Sequence, residues 1–499
     1  MQNLGDAYGM LAVTAPFAAA VAIAFGPPRW AEVFTYLAAG ATLWCSAHLL
    51  PAVATGAMPS AKILTLVPGL DLSFRVDALG LTFGLLASAL WVVTSVYSSG
   101  YVRADRLQHR RRYFGCFAAS IGSALGVAYA GNLLTFLLFY ELLTLATYPL
   151  VLHKESPAAV AAARKYLLYA LSGGLALTVA TIWTWQVAGT LDFAPGGFLQ
   201  GKVSGAGLTA LFALFAFGCG VKAAVMPLHS WLPSAMVAPS PVSALLHAVA
   251  VVKAGVFGFI RVLTFVFGPQ SLAESAGPAL LLTACIVTIV LGSFVAVRQD
   301  NLKRRLAYST IVHLSYIVMG VALLTPNGLV GSVLHLVNHG LAKITLFFCA
   351  GAIYATTHIE NVSELRGLAY RMPWTFAAFA LASFGLMGVP CMAGFVSKYF
   401  LCQGTIEAGE WLSLGVLLSA SVFSAAYLVP VLTIGCTKDE PGAAEHPAPH
   451  GGGGLRAALT LPLVGTALLV AIFGMFPAAM NAQYDLARQV AARVFGGAS

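Results

Sequence analysis

The chain has 499 residues, of which 59% are hydrophobic and only 9% are charged. Soluble domains carry about 25% charged residues, so this composition excludes a soluble enzyme, a disordered protein and a nucleic-acid-binding protein. The net charge of +9 instead indicates a membrane protein whose basic loops lie on the inner side of the bilayer.

Apolar segments follow one another along the whole chain, and a bilayer-spanning helix takes about 20 residues. Backbone groups in lipid need internal partners, and these segments are too long and too uniformly apolar for barrel strands. We therefore predict an all-α polytopic membrane protein with about 14 transmembrane helices. The segments are 10–26, 31–51, 78–98, 113–130, 133–152, 166–188, 206–237, 241–263, 277–297, 306–324, 329–354, 373–403, 412–434 and 457–477.

The seventh and twelfth segments are longer than one span and contain proline. Pro227 and Pro233 lie inside the seventh, and Pro390 lies inside the twelfth. Proline removes a backbone donor and breaks the helical hydrogen-bond ladder, so both segments are predicted to be interrupted helices. In transporters such interruptions mark ion or substrate sites.

The basic residues predict the orientation of the chain. With the N-terminus outside, the inner loops hold 17 Lys and Arg, whereas the outer loops and the tail hold six. Positive charge concentrates in inner loops, so both termini are expected on the outer side. One polar stretch rich in proline and glycine, 436–454, is predicted to be a flexible loop before the last helix.

Five charged residues lie inside apolar segments and away from the segment ends, and each costs about 2.5–3.5 kcal/mol at mid-bilayer on insertion scales. A single lysine near a helix end can extend its ammonium group to the interface, but that explanation fits four lysines and one acid poorly. We therefore predict a buried polar axis that passes protons or cations. These residues are Glu141, Lys222, Lys253, Lys343 and Lys398.

Histidines accompany two of the lysines. His335, His339 and Lys343 are spaced by four residues, which places them on one helix face over about 12 Å. Histidine accepts and returns protons near neutral pH, so this face is a plausible proton relay. His247 and Lys253 are six residues apart and are predicted to reach successive points of the same wet cavity.

The sequence predicts less about His48, His229, His313 and Glu141. His313 is either a relay member or a packed core residue, His48 is interfacial, and His229 supports the interrupted seventh helix. Glu141 has no partner in its own segment. An opposite charge must come from another helix, and Lys222 is the leading candidate.

No cofactor or metal site is predicted. All eight cysteines lie in or at the edge of apolar segments, and no CxxC occurs, so we interpret them as small apolar residues. The chain has no ligand set for a flavin, a haem or an iron–sulfur cluster. Any redox chemistry would belong to partner proteins.

From about Asp77 to Lys398 the chain resembles the antiporter-like subunits of NADH:quinone oxidoreductase (respiratory complex I). The same family includes subunits of Mrp-type Na⁺/H⁺ antiporters and of membrane-bound hydrogenases. The resemblance rests on these motifs: YE in segment five, VK and PLHSWLP in seven, SPVSALLHA and VVKAG in eight, RRLAYSTIVHLSY in ten, the HxxxHxxxK spacing in eleven, and GVPCMAGFVSK in twelve.

The resemblance implies an architecture of 14 helices in which helices 4–8 and 9–13 form an inverted repeat. Each repeat would hold half of a proton path. The implied units are N-terminal helices 1–112, a first half-channel 113–263, a second half-channel 277–434, and a loop, last helix and tail 435–499.

By motif match, the resemblance also assigns roles. Glu141 and Lys222 would be the interacting pair of the first half-channel, and Lys253 with His247 would be the mid-membrane link. The link would continue through the relay of segment eleven to the terminal lysine. Those residues are His335, His339, Lys343 and Lys398, with His313 as the open case.

The expected function is ion translocation within a multisubunit complex of a bacterial or archaeal cell membrane. The leading interpretation is a redox-driven proton pump related to complex I or to hydrogenases. The alternatives are the D-type subunit of an Mrp Na⁺/H⁺ antiporter and the membrane coupling component of an inorganic-carbon uptake system. Lysine lining favours H⁺ over Na⁺ inside this chain, because Na⁺ prefers oxygen ligands.

Overall fold

The computed structural model describes residues 2–67, 69–438, 453–476 and 480–496. The first half of the described chain is helical apart from one β-hairpin. Its elements are α1 Gln2–Phe25, α2 Ala31–His48, α3 Leu50–Ala54, β1 Ser60–Val67, β2 Leu70–Arg75, α4 Ala78–Ala104, α5 Arg110–Ala128, α6 Leu133–Val151, α7 Pro157–Ala188, α8 Gly205–Ala223, α9 Trp231–Ser234, α10 Ser240–Ala248 and α11 Val251–Arg261.

A π-helical stretch, Val262–Phe267, continues α11. The remaining described elements are all helices. They are α12 Pro269–Ala273, α13 Gly277–Arg298, α14 Leu302–Ala322, α15 Pro326–Thr357, α16 Leu368–Arg371, α17 Pro373–Met387, α18 Ala393–Glu407, α19 Trp411–Cys436, α20 Gly453–Met475 and α21 Asn481–Phe495.

The helical bundle is that of a multi-pass membrane protein, as predicted. Within the described ranges, 12 helices are long and apolar enough to cross a membrane. Two predicted segments are not among these 12 helices. The fourth segment is α5, which begins with three arginines, and the twelfth segment is divided between α17 and α18. The count of 14 spans therefore stays a prediction.

Contacts between loops define the two ends of the bundle. At the basic end, Arg103 pairs with Glu32. At the same end, Lys154 of the loop after α6 and Lys303 of α14 lie over the Tyr354 ring. At the opposite end, called the hairpin end, β1 and β2 pair antiparallel with Ser60 opposite Arg75. This hairpin was not predicted from the sequence.

Both predicted helix interruptions are present. Helix α8 stops at Ala223, and Ala224 follows in the left-handed region with φ +56°; Pro227 and Pro233 lie beyond this point. Helix α17 stops at Met387, and Pro390 lies in the stretch that precedes α18. In both cases the chain resumes as a new helix after a few residues.

A third interruption, between α10 and α11, was not predicted. The Ala250 amide bonds to the Leu245 carbonyl, five residues back, and the helical ladder starts again at Ala254. No proline or glycine marks the break, so a rule based on these residues misses it. The segment that contains it, 240–267, and helix α15 are the two candidate spans whose apolar windows are wholly buried.

The C-terminal tail contains a helix that was not predicted from the sequence. Residues 481–495 form α21, which packs on α15 and α4. Arg493 donates to the Gly56 carbonyl at 2.6 Å, which holds α21 at the hairpin end. The predicted flexible loop lies largely outside the described residues, which resume at 453.

One buried ion pair joins α4 to α11 at the hairpin end. Arg261 is 1% exposed and forms a two-point contact with the Asp77 carboxylate, whose second role is to accept from the Gly80 amide at the start of α4. Phenylalanine rings surround the guanidinium, with Phe265 at 4.7 Å. Leaving one partner of such a pair buried alone is strongly unfavourable.

We expect Asp77→Asn to destabilise the protein by about 3–5 kcal/mol, because Arg261 keeps an uncompensated buried charge while asparagine can still cap the helix. Thermal unfolding of the detergent-solubilised protein measures the loss. The control is Lys62→Ala, which breaks the exposed Lys62–Asp71 pair of the hairpin and should change much less. Equal melting temperatures for the two variants would contradict the assignment.

Candidate functional site

Lys222 lies in the last turn of α8, where the helix breaks, and it is 1% exposed. Its ammonium group donates to the Tyr140 carbonyl of α6 and lies 3.4 Å from the centre of the Tyr140 ring. The Tyr140 hydroxyl donates back to the Gly218 carbonyl at 3.1 Å. These contacts hold the lysine between α8 and α6 without any carboxylate.

Glu141 follows Tyr140 and points to a different neighbour. Its Oε1 atom is buried without a hydrogen-bond partner, and it fills the space left by Gly174 of α7, where an added Cβ would be 2.3 Å from that oxygen. Within the described chain no ion pair joins Glu141 to Lys222. The prediction was a direct or one-water contact between these two side chains. The ammonium instead bonds directly to the Tyr140 carbonyl, and a contact through one water molecule stays a prediction.

The central contact of the bundle joins Lys253 to His339. Lys253 stands in the first turn of α11, just after the unpredicted break, and its Nζ is 3.0 Å from His339 Nδ1 on α15. Both residues are fully buried. A dry barrier between them would have excluded a relay, and the structure has a direct hydrogen bond there.

A series of neighbouring histidine rings leads from the Lys253–His339 contact toward α18. The rings of His339 and His313 stack with centres 5.5 Å apart, and His313 Nδ1 lies 3.1 Å from His335 Nε2. His335 Nδ1 is 2.9 Å from the hydroxyl of Ser397, which precedes Lys398 in α18. His313 therefore belongs to this group, which we call the histidine row (His339, His313, His335 and Ser397). Ser397 was not among the residues predicted from the sequence.

Lys343 makes its hydrogen bonds outside the histidine row, and its place in the predicted order, between His339 and Lys398, stays a prediction. Its ammonium group donates to Ser309 Oγ at 2.7 Å and to the Leu306 carbonyl at 3.1 Å, both on α14. His335, His339 and Lys343 do follow one another at four-residue spacing on α15. The longer lysine side chain, however, reaches neighbours that the two histidines do not contact. The polar axis therefore branches at α15.

His247 is fully buried, and its ring centre lies 4.6 Å from that of Phe347. Both ring nitrogens are without a hydrogen-bond partner among the described residues. That His247 and Lys253 reach successive points of one wet cavity stays a prediction. Two unpartnered nitrogens in a buried position are the type of site that ordered water fills.

Lys398 lies beyond the break in segment twelve and points inward. Its Nζ donates to the Met387 carbonyl at the end of α17 and to Ser421 Oγ of α19, each at 2.9 Å. The Tyr316 ring centre is 5.5 Å away. The interrupted helix thus supplies a backbone acceptor for the lysine, which is not extended to the interface.

Two further histidines that the sequence analysis names, His48 and His229, lie apart from these groups. His48 is exposed, and its Nδ1 lies 2.9 Å from the Trp44 carbonyl, one turn back on the same helix. His229 lies at the interruption after α8, with its ring 6.2 Å from that of Tyr308. In the part of the chain that the structure describes, no group of three His, Cys, Asp or Glu side chains could hold a metal ion.

Comparison with known proteins agrees with this geometry. Residues 130–424, more than half of the chain, match the family model described as NADH:quinone oxidoreductase/Mrp antiporter, transmembrane. The chain belongs to this family. The matched region begins just before α6 and ends in α19, so it contains every buried lysine described above.

Relatives and solved structures extend the match over nearly the whole chain. It is 33% identical over 93% of its length to subunit L of NADH-quinone oxidoreductase from Mycobacterium tuberculosis, covering 74% of that protein. It is 31% identical over 82% of its length to subunit N from Desulforudis audaxviator, covering 83%. Its fold is that of a chain of the Mrp complex from Dietzia sp. DQ12-45-1b, with TM-score 0.86, 21% identity and coverage of 99% and 98%.

Gly174→Ala should displace the Glu141 carboxylate. A Cβ at 2.3 Å lies more than about 1 Å inside ordinary contact distance, so the carboxylate must move away from α7. The structure of the variant measures this displacement. Gly40→Ala is the matched control, since an added Cβ on α2 would meet nothing within 4 Å. A carboxylate that stays in place would show that α7 yields instead.

Proposed function

We propose that this chain is a proton-translocating membrane subunit of a multisubunit complex. The observation that carries the proposal is the buried hydrogen bond between Lys253 and His339. This hydrogen bond joins α11, which follows the break after α10, to the histidine row. The histidine row ends at Ser397, one residue before Lys398. A pair of this kind has little value as a structural contact in an apolar bundle, since an apolar pair of similar volume would avoid the cost of burying a charge.

The groups along the axis favour protons as the ion. Amines, imidazoles and hydroxyls all bind and release protons, whereas Na⁺ prefers carboxylate and carbonyl oxygens. Glu141 is the one acid among the residues named for this axis. Under the proposal, residues 113–263 with Glu141, Lys222, His247 and Lys253 form one half-channel. Residues 277–434 form the other half-channel, which holds the histidine row, Lys343 and Lys398.

A redox-driven complex is the proposed setting. Subunits L and N of NADH-quinone oxidoreductases are about one-third identical to this chain over most of its length, and redox chemistry would lie in partner subunits. An Mrp-type antiporter is the second candidate, because the fold matches an Mrp chain over 99% of this one. Mass spectrometry of the purified native complex distinguishes them by the subunits present.

The proposed orientation places the basic end inside the cell. Both described chain ends lie at the hairpin end: Asp6 of α1 accepts from the Ser60 amide, and Gln489 of α21 donates to the Val53 carbonyl. Loops rich in Lys and Arg stay on the inner side of cell membranes. Both termini would then face outward.

Lys253→Met should lower proton transport by about tenfold or more, because it removes a proton-transfer group from the direct contact that joins the two halves. Methionine fills similar volume without leaving a buried charge, so the complex should still assemble. The measurement is pH-dye quenching in vesicles containing the native complex, energised by its own substrate or by an imposed cation gradient.

Lys202→Met is the matched control for this experiment. Lys202 lies in the exposed loop before α8 and donates to the Ala188 carbonyl, so its loss should leave transport unchanged. Wild-type transport by an assembled Lys253→Met complex would contradict the proposed function.

A further inference from the structure

A second chain of hydrogen bonds leaves Lys343, separate from the histidine row. Lys343 Nζ donates to Ser309 Oγ at 2.7 Å, and Ser309 Oγ donates to the Tyr427 hydroxyl at 3.0 Å. The Tyr427 hydroxyl is 2.9 Å from Ser424 Oγ. All four residues are fully buried, so these hydroxyls have no solvent to bond with. Besides its contact with Tyr427, Ser424 Oγ donates to the Ala420 carbonyl at 2.9 Å.

The chain of hydroxyls leads to the far lysine. Ser421 precedes Ser424 by three residues on α19, which places the two side chains on one helix face with their Cβ atoms about 5–6 Å apart. Ser421 Oγ accepts from Lys398 Nζ at 2.9 Å and donates to the Leu417 carbonyl at 3.2 Å. The gap between the two serines is the one step without a direct hydrogen bond, and a single water molecule spans such a distance.

We propose that Ser309, Tyr427, Ser424 and Ser421 form a second proton route, the hydroxyl row, between Lys343 and Lys398. It runs parallel to the histidine row, which joins Lys253 to the same end of the bundle. The inference rests on the proposed function and adds four residues that the lysine and histidine motifs do not include.

The chemistry of the row needs proton transfer alone. A hydroxyl donates one hydrogen bond and accepts up to two, so it can take a proton while giving up its own. An N–H bond of charged Lys343 breaks as an O–H bond forms on Ser309, whose original proton passes to Tyr427. The same exchange continues through Ser424, a bridging water and Ser421.

The transfer ends at Lys398. Its neutral amine takes the last proton, so Lys343 becomes neutral, Lys398 becomes charged, and each hydroxyl is restored. No oxidant or co-reactant is consumed. The described geometry has the direction this requires at its start, since Lys343 donates to Ser309 and Ser309 donates to Tyr427. At its end, Lys398 donates to Ser421, as a charged lysine would after the transfer.

The decisive variant is Tyr427→Phe, which keeps the ring and removes the hydroxyl. Two routes of similar capacity would share the flux, so this variant should lower proton transport by about twofold or more. His335→Leu should lower it comparably, and the double variant should reduce transport to the background level. Tyr97→Phe is the matched control, because Tyr97 is equally buried and its hydroxyl donates to the Phe348 carbonyl at 2.7 Å, away from both rows.

Two variants of Ser309 distinguish a role of its hydroxyl in proton transport from a role in packing. Ser309→Ala should slow transport, and Ser309→Thr should restore it, because threonine keeps the hydroxyl. Native gel electrophoresis confirms that each complex assembles. Wild-type transport by Tyr427→Phe, both alone and with His335→Leu, would overturn the hydroxyl row. If Lys253→Met blocks transport in the same assay, only the hydroxyl row fails; if Lys253→Met transports normally, the proposed function fails.

Discussion

A cation inside an apolar bundle must find lone pairs, because an unpaired charge costs several kcal/mol there. Three of the four central lysines meet this need with a backbone carbonyl oxygen: Lys222 with Tyr140, Lys343 with Leu306, and Lys398 with Met387. The fourth, Lys253, uses a histidine nitrogen. Each of these contacts ties the helix that carries the lysine to a neighbouring helix.

Neutral acceptors have a functional advantage over carboxylates in such a position. A carbonyl or an imidazole accepts a hydrogen bond from a charged lysine, but it does not oppose the loss of the proton as strongly as a negative charge does. Glu141 is turned toward α7 and makes no ion pair with Lys222 in the described chain. The lysine is therefore well placed to exchange protons.

The architecture was largely predictable from the sequence, since hydrophobic segments, buried charges and prolines have a strong signal. The contacts between the side chains of the site were less predictable from the sequence. A sequence shows that Lys222 and Glu141 both lie in apolar segments, but not that the Tyr140 carbonyl lies nearer to the ammonium than the Glu141 carboxylate does. The break between α10 and α11 has no proline, and serines such as Ser397 are common in apolar helices, so neither stands out. Only packing shows which hydroxyls meet a lysine.

The backbone of α11 touches the end of α8 so closely that no side chain fits between them. An added Cβ on Gly255 would be 2.3 Å from the Ala223 amide nitrogen and 2.6 Å from the Lys222 carbonyl carbon. Main chain packed on main chain has no side-chain rotamers to absorb a displacement. A displacement of the end of α8, where Lys222 lies, is therefore expected to press directly on the turn of α11 that carries Lys253, so the positions of these two lysines are mechanically coupled.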